Sequence, residues 1–198
     1  MRRGATLVRL IVEAENAPSI ELIEREHMHR VGGFAPYTAP PLINSSQKRP
    51  MQKKVQLATP DDLNEIIDYL NVSNIFPAVG GVYYVGWAAY SITAELLETK
   101  IADQNVYLLR RWDRLDGLAI AEPREEHTGK YLSLGYIDGT AIEAISLIAY
   151  DLRHRLPELG LAFMQAYVPD LVLIRDALNG IEYKWDGFVF YTYERSLM

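Results

Sequence analysis

The residues of this chain best suited to chemistry are few and scattered. Glu122 and Glu125 follow a run of strand-forming residues, where a carboxylate can serve as a general base in a cleft. Acids beside a turn are as readily solvated surface. His27-Met28-His29 has the two-residue spacing that sets both rings on one side of a strand, a possible metal pair, yet no third ligand stands near it in the sequence and surface histidines explain it as well. His127 falls in a turn, and His154 falls near a helix end, where a cation suits the negative end of the dipole. Arg110, Arg111, Arg114 and Arg124 could gather into an anion patch or simply form a solvated face. The segment Asp138-Gly139-Thr140-Ala141-Ile142-Glu143 contains a capping box, with Thr140 and Glu143 expected to satisfy the donors that open a helix.

What is missing narrows the chemistry further. GxxxxGK[ST], GxSxG and HExxH do not occur, which removes support for P-loop hydrolysis and for the common serine-hydrolase and zinc-protease patterns. There is no cysteine, hence no disulfide framework, thiolate zinc site or cysteine nucleophile. With 20 basic and 26 acidic residues the chain carries a net charge of −6, which argues against a nucleic acid backbone as partner. No apolar run approaches the roughly 18 residues of a membrane span, and Met1-Arg2-Arg3-Gly4 does not begin a secretory signal. The expectation is a soluble, cytoplasmic protein that binds neither membrane nor nucleic acid.

The elements that must position these residues fall in two blocks. Of the 198 residues 49% are apolar, enough for one full domain and an appendage. Pro40-Pro41 and the polar stretch from Asn44 to Lys53 read as a linker, expected over 44–53 between a piece at 1–43 and a domain at 54–198. In the long block, Thr59-Pro60-Asp61-Asp62 starts a helix, with Leu63, Ile66, Ile67 and Leu70 on its inner face. Thr93 opens a second helix reaching about Ala102. Strands are expected over Asn105 to Arg111, Leu118 to Ala121 and Tyr131 to Ile137, then a long helix with Ala141, Ile145, Ile148 and Leu152 along one stripe. Leu161 to Val168 reads as a central strand buried on both faces, Asp170 to Leu178 as a short helix, and Gly187 to Glu194 as a terminal strand. In that strand Phe188 and Phe190 oppose Val189, Tyr191 and Tyr193. The aromatic segment from Phe76 to Trp87 suits a binding groove or packing against the sheet. This order is an α/β (α+β) layer fold with a mixed, mostly antiparallel sheet flanked by helices.

That order, with Thr59-Pro60-Asp61-Asp62-Leu63 at the first helix and Val106-Tyr107-Leu108-Leu109 ahead of Asp116-Gly117-Leu118-Ala119, resembles the GCN5-related N-acetyltransferase (GNAT) family over residues 54 to 198. A second echo precedes it. Thr6 to Val12, Glu15-Asn16 and Ser19 to Arg25 resemble the family's fifth strand and fourth helix, and Arg30 to Tyr37 the start of its closing hairpin. The resemblance implies a tandem protein, in which the C-terminal half of one GNAT-like unit precedes a complete second unit. A strand at Thr6 to Val12 without its own neighbour would present an open edge and favour a homodimer or pairing with the second unit.

The resemblance further implies acetyl transfer from acetyl-CoA to a small amine or a protein amine, by direct attack with the thiolate leaving. The cofactor would run along Leu134, Gly135 and Tyr136 of the fourth strand and lay its pyrophosphate on Gly139, Thr140 and Ala141. The family's usual phrase there, Gln or Arg, two residues, Gly, one residue, Gly or Ala, is replaced by Ile137 to Ala144. Asp138 and Glu143 would face the pyrophosphate, each costing roughly 3 kcal/mol at about 5 Å and an effective dielectric near 20. That exceeds the ~1 kcal/mol of a helix cap. The family's tyrosine acid has no counterpart in Leu171 to Arg175, although Tyr167 or Tyr191 could approach the site. Two readings follow: an N-acetyltransferase with its catalytic residues unassigned, or a degenerate, non-catalytic GNAT-like module that binds a ligand or partner.

Overall fold

A computed structural model describes residues 6–42, 54–127 and 129–197. The expected linker at 44–53 lies outside the described residues. In chain order the elements begin with β1 (Leu7–Glu13), α1 (Ala17–Arg25), β2 (His29–Ala39), β3 (Lys54–Leu57), a 3₁₀ turn at Pro60–Asp62, α2 (Leu63–Val72), α3 (Ile75–Ala78), β4 (Val82–Val85) and β5 (Ala88–Ser91). They continue with α4 (Ala94–Ala102), β6 (Val106–Arg111), β7 (Arg114–Glu126), β8 (Gly129–Gly139), α5 (Ile142–Arg155), β9 (Phe163–Pro169), α6 (Val172–Asn179), β10 (Lys184–Trp185) and β11 (Phe190–Ser196).

Local chemistry accounts for most of these boundaries. Thr59 and Asp62 close a reciprocal cap ahead of α2, and the Thr93 hydroxyl accepts the Leu96 N–H at the start of α4. Ile145, Ile148 and Leu152 form the buried stripe of α5, whereas Ala141, expected as its first member, caps the helix instead. Alternation in β11 sets Phe190 beside Phe34 and directs Tyr193 toward α1.

One mixed sheet runs β1-β11-β2-β9-β8-β7-β6-β3, with β10 also on β2. All described pairings are antiparallel except β8 with β9. One face is covered by α5 and α6, with α1 over β1 and β11; the other is covered by α2, α4 and the β4–β5 hairpin. On β8 the extra residue Gly135 forms a β-bulge, since Ile120 pairs with Tyr136 while Ala121 pairs with Leu134. The bulge resets the alternation. Leu134 and Ile137 both face α5, and Tyr136 faces the α2–α4 side.

The N-terminal residues do not stand apart from this sheet. The expected hairpin start at Arg30 to Tyr37 is instead part of one long strand, β2, inserted between β9 and β11. The sheet of 54–198 is therefore completed by a strand from before the expected boundary, because β9 and β11 meet only through β2. Pro36 is tolerated in this central position because its nitrogen faces the break between β10 and β11, where its carbonyl still accepts the Asp186 N–H at 3.0 Å. The buried Arg153 fastens the end of this segment by donating to the Pro40 carbonyl, 2.9 Å away.

Candidate functional site

β8 and β9 pair only from Tyr131 to Leu134 and from Phe163 to Ala166, although β8 continues to Gly139 and β9 to Pro169. Beyond Leu134 and Ala166 the strands part. A gap of this kind exposes strand amides and invites a ligand, so its filling decides what the site can do. Here other parts of the chain crowd around it. Ile75, at the start of α3, is buried in the same core as Ile137, Ile145 and Ile148 beneath α5. Leu171, between β9 and α6, packs against the cores on both faces of the sheet. The β4 backbone lies on the bulge so closely that a Cβ at Gly135 would stand 1.9 Å from the Tyr84 carbonyl oxygen. The hairpin then continues across the sheet: Tyr84 Oη meets Thr192 Oγ1 at 3.0 Å, and Arg9 donates to the Ala89 carbonyl and the Ser91 hydroxyl.

Asp138 anchors this arrangement. Its carboxylate accepts hydrogen bonds from Tyr69 Oη at 3.0 Å, Ser73 Oγ at 2.6 Å and Tyr136 Oη at 2.7 Å. The Ser73 oxygen also accepts the Ile75 and Phe76 N–H groups, so a single chain of bonds ties the end of β8 to the start of α3. Burial raises the Asp138 carboxyl above its ordinary range, against the pull of these donors. Burial and the neighbouring carboxylate also drive the Tyr136 and Tyr69 phenols far upward, so both stay protonated as donors. The expectation that Asp138 faces a bound pyrophosphate is thereby corrected. Its side chain turns inward because the bulge puts it on the same face as Tyr136.

The helix start differs from expectation too. The N-cap of α5 is Ala141, whose carbonyl accepts the Ala144 and Ile145 N–H groups, and Thr140 and Glu143 do not form a capping box. Thr140 instead donates from its hydroxyl to Asp116 at 2.5 Å and from its backbone N–H to the Asp116 carbonyl at 2.9 Å. Arg111 bridges Asp116 and Glu143, at 3.1 and 3.5 Å. Gly139 pairs with Gly117 and lies under α5, where a Cβ would come within 2.8 Å of Ile145 Cγ1. Of the six positions that resemblance assigns to the cofactor, Leu134 and Tyr136 are buried core residues, Gly135 is roofed by β4, and Gly139, Thr140 and Ala141 form the turn into α5.

The remaining candidates are dispersed. Glu122 lies on the α4 side, ion-paired to Lys100 and 3.6 Å from Arg124, while Glu125 is an exposed acid 3.8 Å from Lys130. Tyr167 packs edge-on against Phe34, and Tyr191 lies under the Arg30 guanidinium at 3.4 Å. The expected anion patch is assembled only in part: Arg111 and Arg114 line one cavity with Asp116 and Thr140, Arg111 also pairing with Asp116 and Glu143, whereas Arg110 is held by Asp62 and Glu65 and Arg124 by Glu122. Met28 is buried between exposed His27 and His29, and among the described residues no three potential ligands gather as a metal site. The segment from Phe76 to Trp87 is mostly packing, although its hairpin was not foreseen. Gly86-Trp87 between Val82-Tyr83-Tyr84-Val85 and Ala88-Ala89-Tyr90-Ser91 is the signal that reveals it, a two-residue turn opened by glycine.

No family model and no curated protein matches this sequence. Solved structures do match in fold. A GCN5-related N-acetyltransferase from Sphaerobacter thermophilus aligns with 96% of this chain at 11% identity and a TM-score of 0.57. A functionally unknown conserved protein from Staphylococcus epidermidis ATCC 12228 aligns with 98% at 8% identity and 0.61, and a GNAT-family acetyltransferase from Colwellia psychrerythraea with 95% at 9% and 0.56. The alignments span 59%, 73% and 64% of those chains, so this chain is shorter than each. The fold is that of the GCN5-related N-acetyltransferases.

Proposed function

We propose that this chain acts as a non-catalytic binding module built on the N-acetyltransferase fold, one that does not take acetyl-CoA between β8 and β9. The observation that carries this reading is the crowding around the gap, with Ile75 and Leu171 packed into the adjoining cores and Gly135 roofed by the Tyr84 carbonyl. A cofactor arm laid there would have to displace the buried Ile75, at about 1.5–3 kcal/mol if it is exposed, and the half-buried Leu171. The Asp138 bonds oppose any such movement of α3.

The test is a thermal shift of the 198-residue chain with acetyl-CoA, with CoA and ATP alongside. A ligand at about one hundred times its dissociation constant stabilises a fold by roughly 2.7 kcal/mol. The expected result is no shift specific to CoA species. A saturable shift with acetyl-CoA and CoA but not ATP overturns the proposal.

A second reading, acetyl transfer from acetyl-CoA to a small-molecule or protein amine, is favoured by one feature. The Gly135 bulge interrupts the β7–β8 ladder beside the gap, freeing backbone groups that a thioester carbonyl or pantetheine amide can use once the hairpin withdraws. That reading requires CoA binding first, followed by release of free thiol with an amine acceptor.

A further inference from the structure

The units β1–α1–β2 and β9–α6–β11 interleave so that the order β1-β11-β2-β9 is unchanged when the units are exchanged. The register obeys the same exchange. Leu10 pairs with Tyr193 as Met164 pairs with Ala39, Val12 with Tyr191 as Ala166 with Tyr37, and Glu13 with Phe190 as Tyr167 with Pro36. Each residue corresponds to the one 154 positions later, as Leu7 does to Leu161 and Ile20 to Ile174. The sequence keeps a trace of this: Gly33-Phe34-Ala35-Pro36-Tyr37-Thr38 corresponds to Gly187-Phe188-Val189-Phe190-Tyr191-Thr192. The two halves are thus related by a pseudo-two-fold axis normal to the sheet, between β2 and β11.

The symmetry ends at the outer strands. The outer edge of β9 takes β8 in parallel along Phe163 to Ala166, and α6 packs against α5. The corresponding stretch of β1 is Arg9 to Val12, and among the described residues no strand pairs with its outer edge. The Ala14 N–H donates to the Val189 carbonyl and the Leu197 N–H to the Thr6 carbonyl, so even-numbered residues of this strand bond inward to β11. The backbone groups of Leu7, Arg9, Ile11 and Glu13 point outward. The helix flank is open as well. Ile174 and Leu178 of α6 are fully buried, whereas their counterparts Ile20 and Glu24 in α1 are half-buried and exposed. Leu10 is 42% exposed and Leu22 is 61% exposed, adding uncovered apolar surface on β1 and α1.

We infer that the outer edge of β1 is a docking edge for a strand–helix segment of a partner polypeptide, its strand parallel to β1 along Arg9 to Val12 and its helix against α1. The partner would stand to β1 and α1 as β8 and α5 stand to β9 and α6. A second copy of this chain does not supply that geometry. The terminal strands of its main sheet are β1 and the four-residue β3, and two β1 edges related by a two-fold axis run antiparallel. The pairing is strand addition, in which main-chain bonds give affinity and alternate side chains give selectivity. This inference does not depend on whether the β8–β9 gap binds CoA.

The probe is a synthetic peptide with the sequence of residues 129–139, the strand that the symmetry places beside β1, added to the isotope-labelled full chain. Bound peptide should slow amide exchange at Arg9 and Ile11 by about tenfold or more, with inward-facing Leu10 and Val12 little changed. A spin label at the peptide N-terminus should broaden Leu7, and one at its C-terminus Glu13. Ile11→Pro removes an outward donor within the Arg9 to Val12 stretch and should abolish these effects, as should Arg9→Pro where Ile11→Pro disturbs folding. Unchanged exchange at millimolar peptide, equal protection by a scrambled peptide, or the reversed broadening pattern overturns the inference. So does a dimer of the chain alone in which Arg9 and Ile11 are already protected.

Discussion

The Asp138 carboxylate is the point on which the end of β8, α2 and α3 are jointly fixed, through one hydroxyl from each of Tyr69, Ser73 and Tyr136. Removing it strands those donors in a buried site, so Asp138→Ala should lower stability by about 3 kcal/mol in urea unfolding. The sign of its pH dependence follows from the raised pKa. In the window above the ordinary carboxylate value of about 3.9, the native state holds a proton that the unfolded chain has lost. The contribution is therefore full below that value and declines as pH rises through the raised native pKa. The stability of the natural chain relative to Asp138→Asn should fall through this window and level off above it. Sequence reasoning found Asp138 but misread its direction, because the facing of a strand residue past a bulge depends on a pairing shift, Ile120 with Tyr136 and Ala121 with Leu134, that is not local. Thr140 was misread for a related reason: Asp116, itself the extra residue of a bulge on β7, captures its hydroxyl.

At the scale of elements, the β4–β5 hairpin does most to define the candidate site, since it roofs Gly135 and continues over Phe34 and Thr192 to Arg9. Its seat on β8 is a backbone-on-backbone contact that only glycine permits. In Gly135→Ala, neither the new Cβ nor the Tyr84 carbonyl can swing away as a side chain tip would, so the hairpin must lift. Overpacking of this kind typically costs about 1–3 kcal/mol, which denaturant unfolding will measure. Exchange at Tyr83 and Tyr84 should accelerate with it, and exchange in β6 should not. The helices and long strands were legible because their periodicity and caps are local, as with Thr93 at α4 and the Ile145, Ile148 and Leu152 stripe of α5. The hairpin was not, because its apolar residues read equally as groove or core until Gly86-Trp87 is taken as a turn.

The molecule as a whole is held by a strand that its own sequence order hides. Composition placed a boundary between β2 and β3 and made 54–198 look self-sufficient, while the N-terminal strand, helix and strand were each recognisable from their apolar pattern. Where β2 goes was not recognisable, since insertion between β9 and β11 is a pairing over more than one hundred residues and leaves no local mark. Its consequence is sharp. Phe34, Ala35, Tyr37 and Ala39 of β2 are almost wholly buried, distributed over the cores on both faces of the sheet. Without them β9 keeps β8 on one side only, and β11 loses both its neighbours, β1 and β2, at once. A chain reduced to residues 54–198 should therefore lose cooperative unfolding, while the full chain should unfold in a single transition seen alike by circular dichroism and tryptophan fluorescence. If 54–198 alone retains a sharp, coincident transition, β9 and β11 must close on each other directly, and β2 is an insertion into a sheet that can form without it. If it does not, the N-terminal residues are part of the folding unit, and the open edge of β1 belongs to the same cooperative structure as the β8–β9 gap.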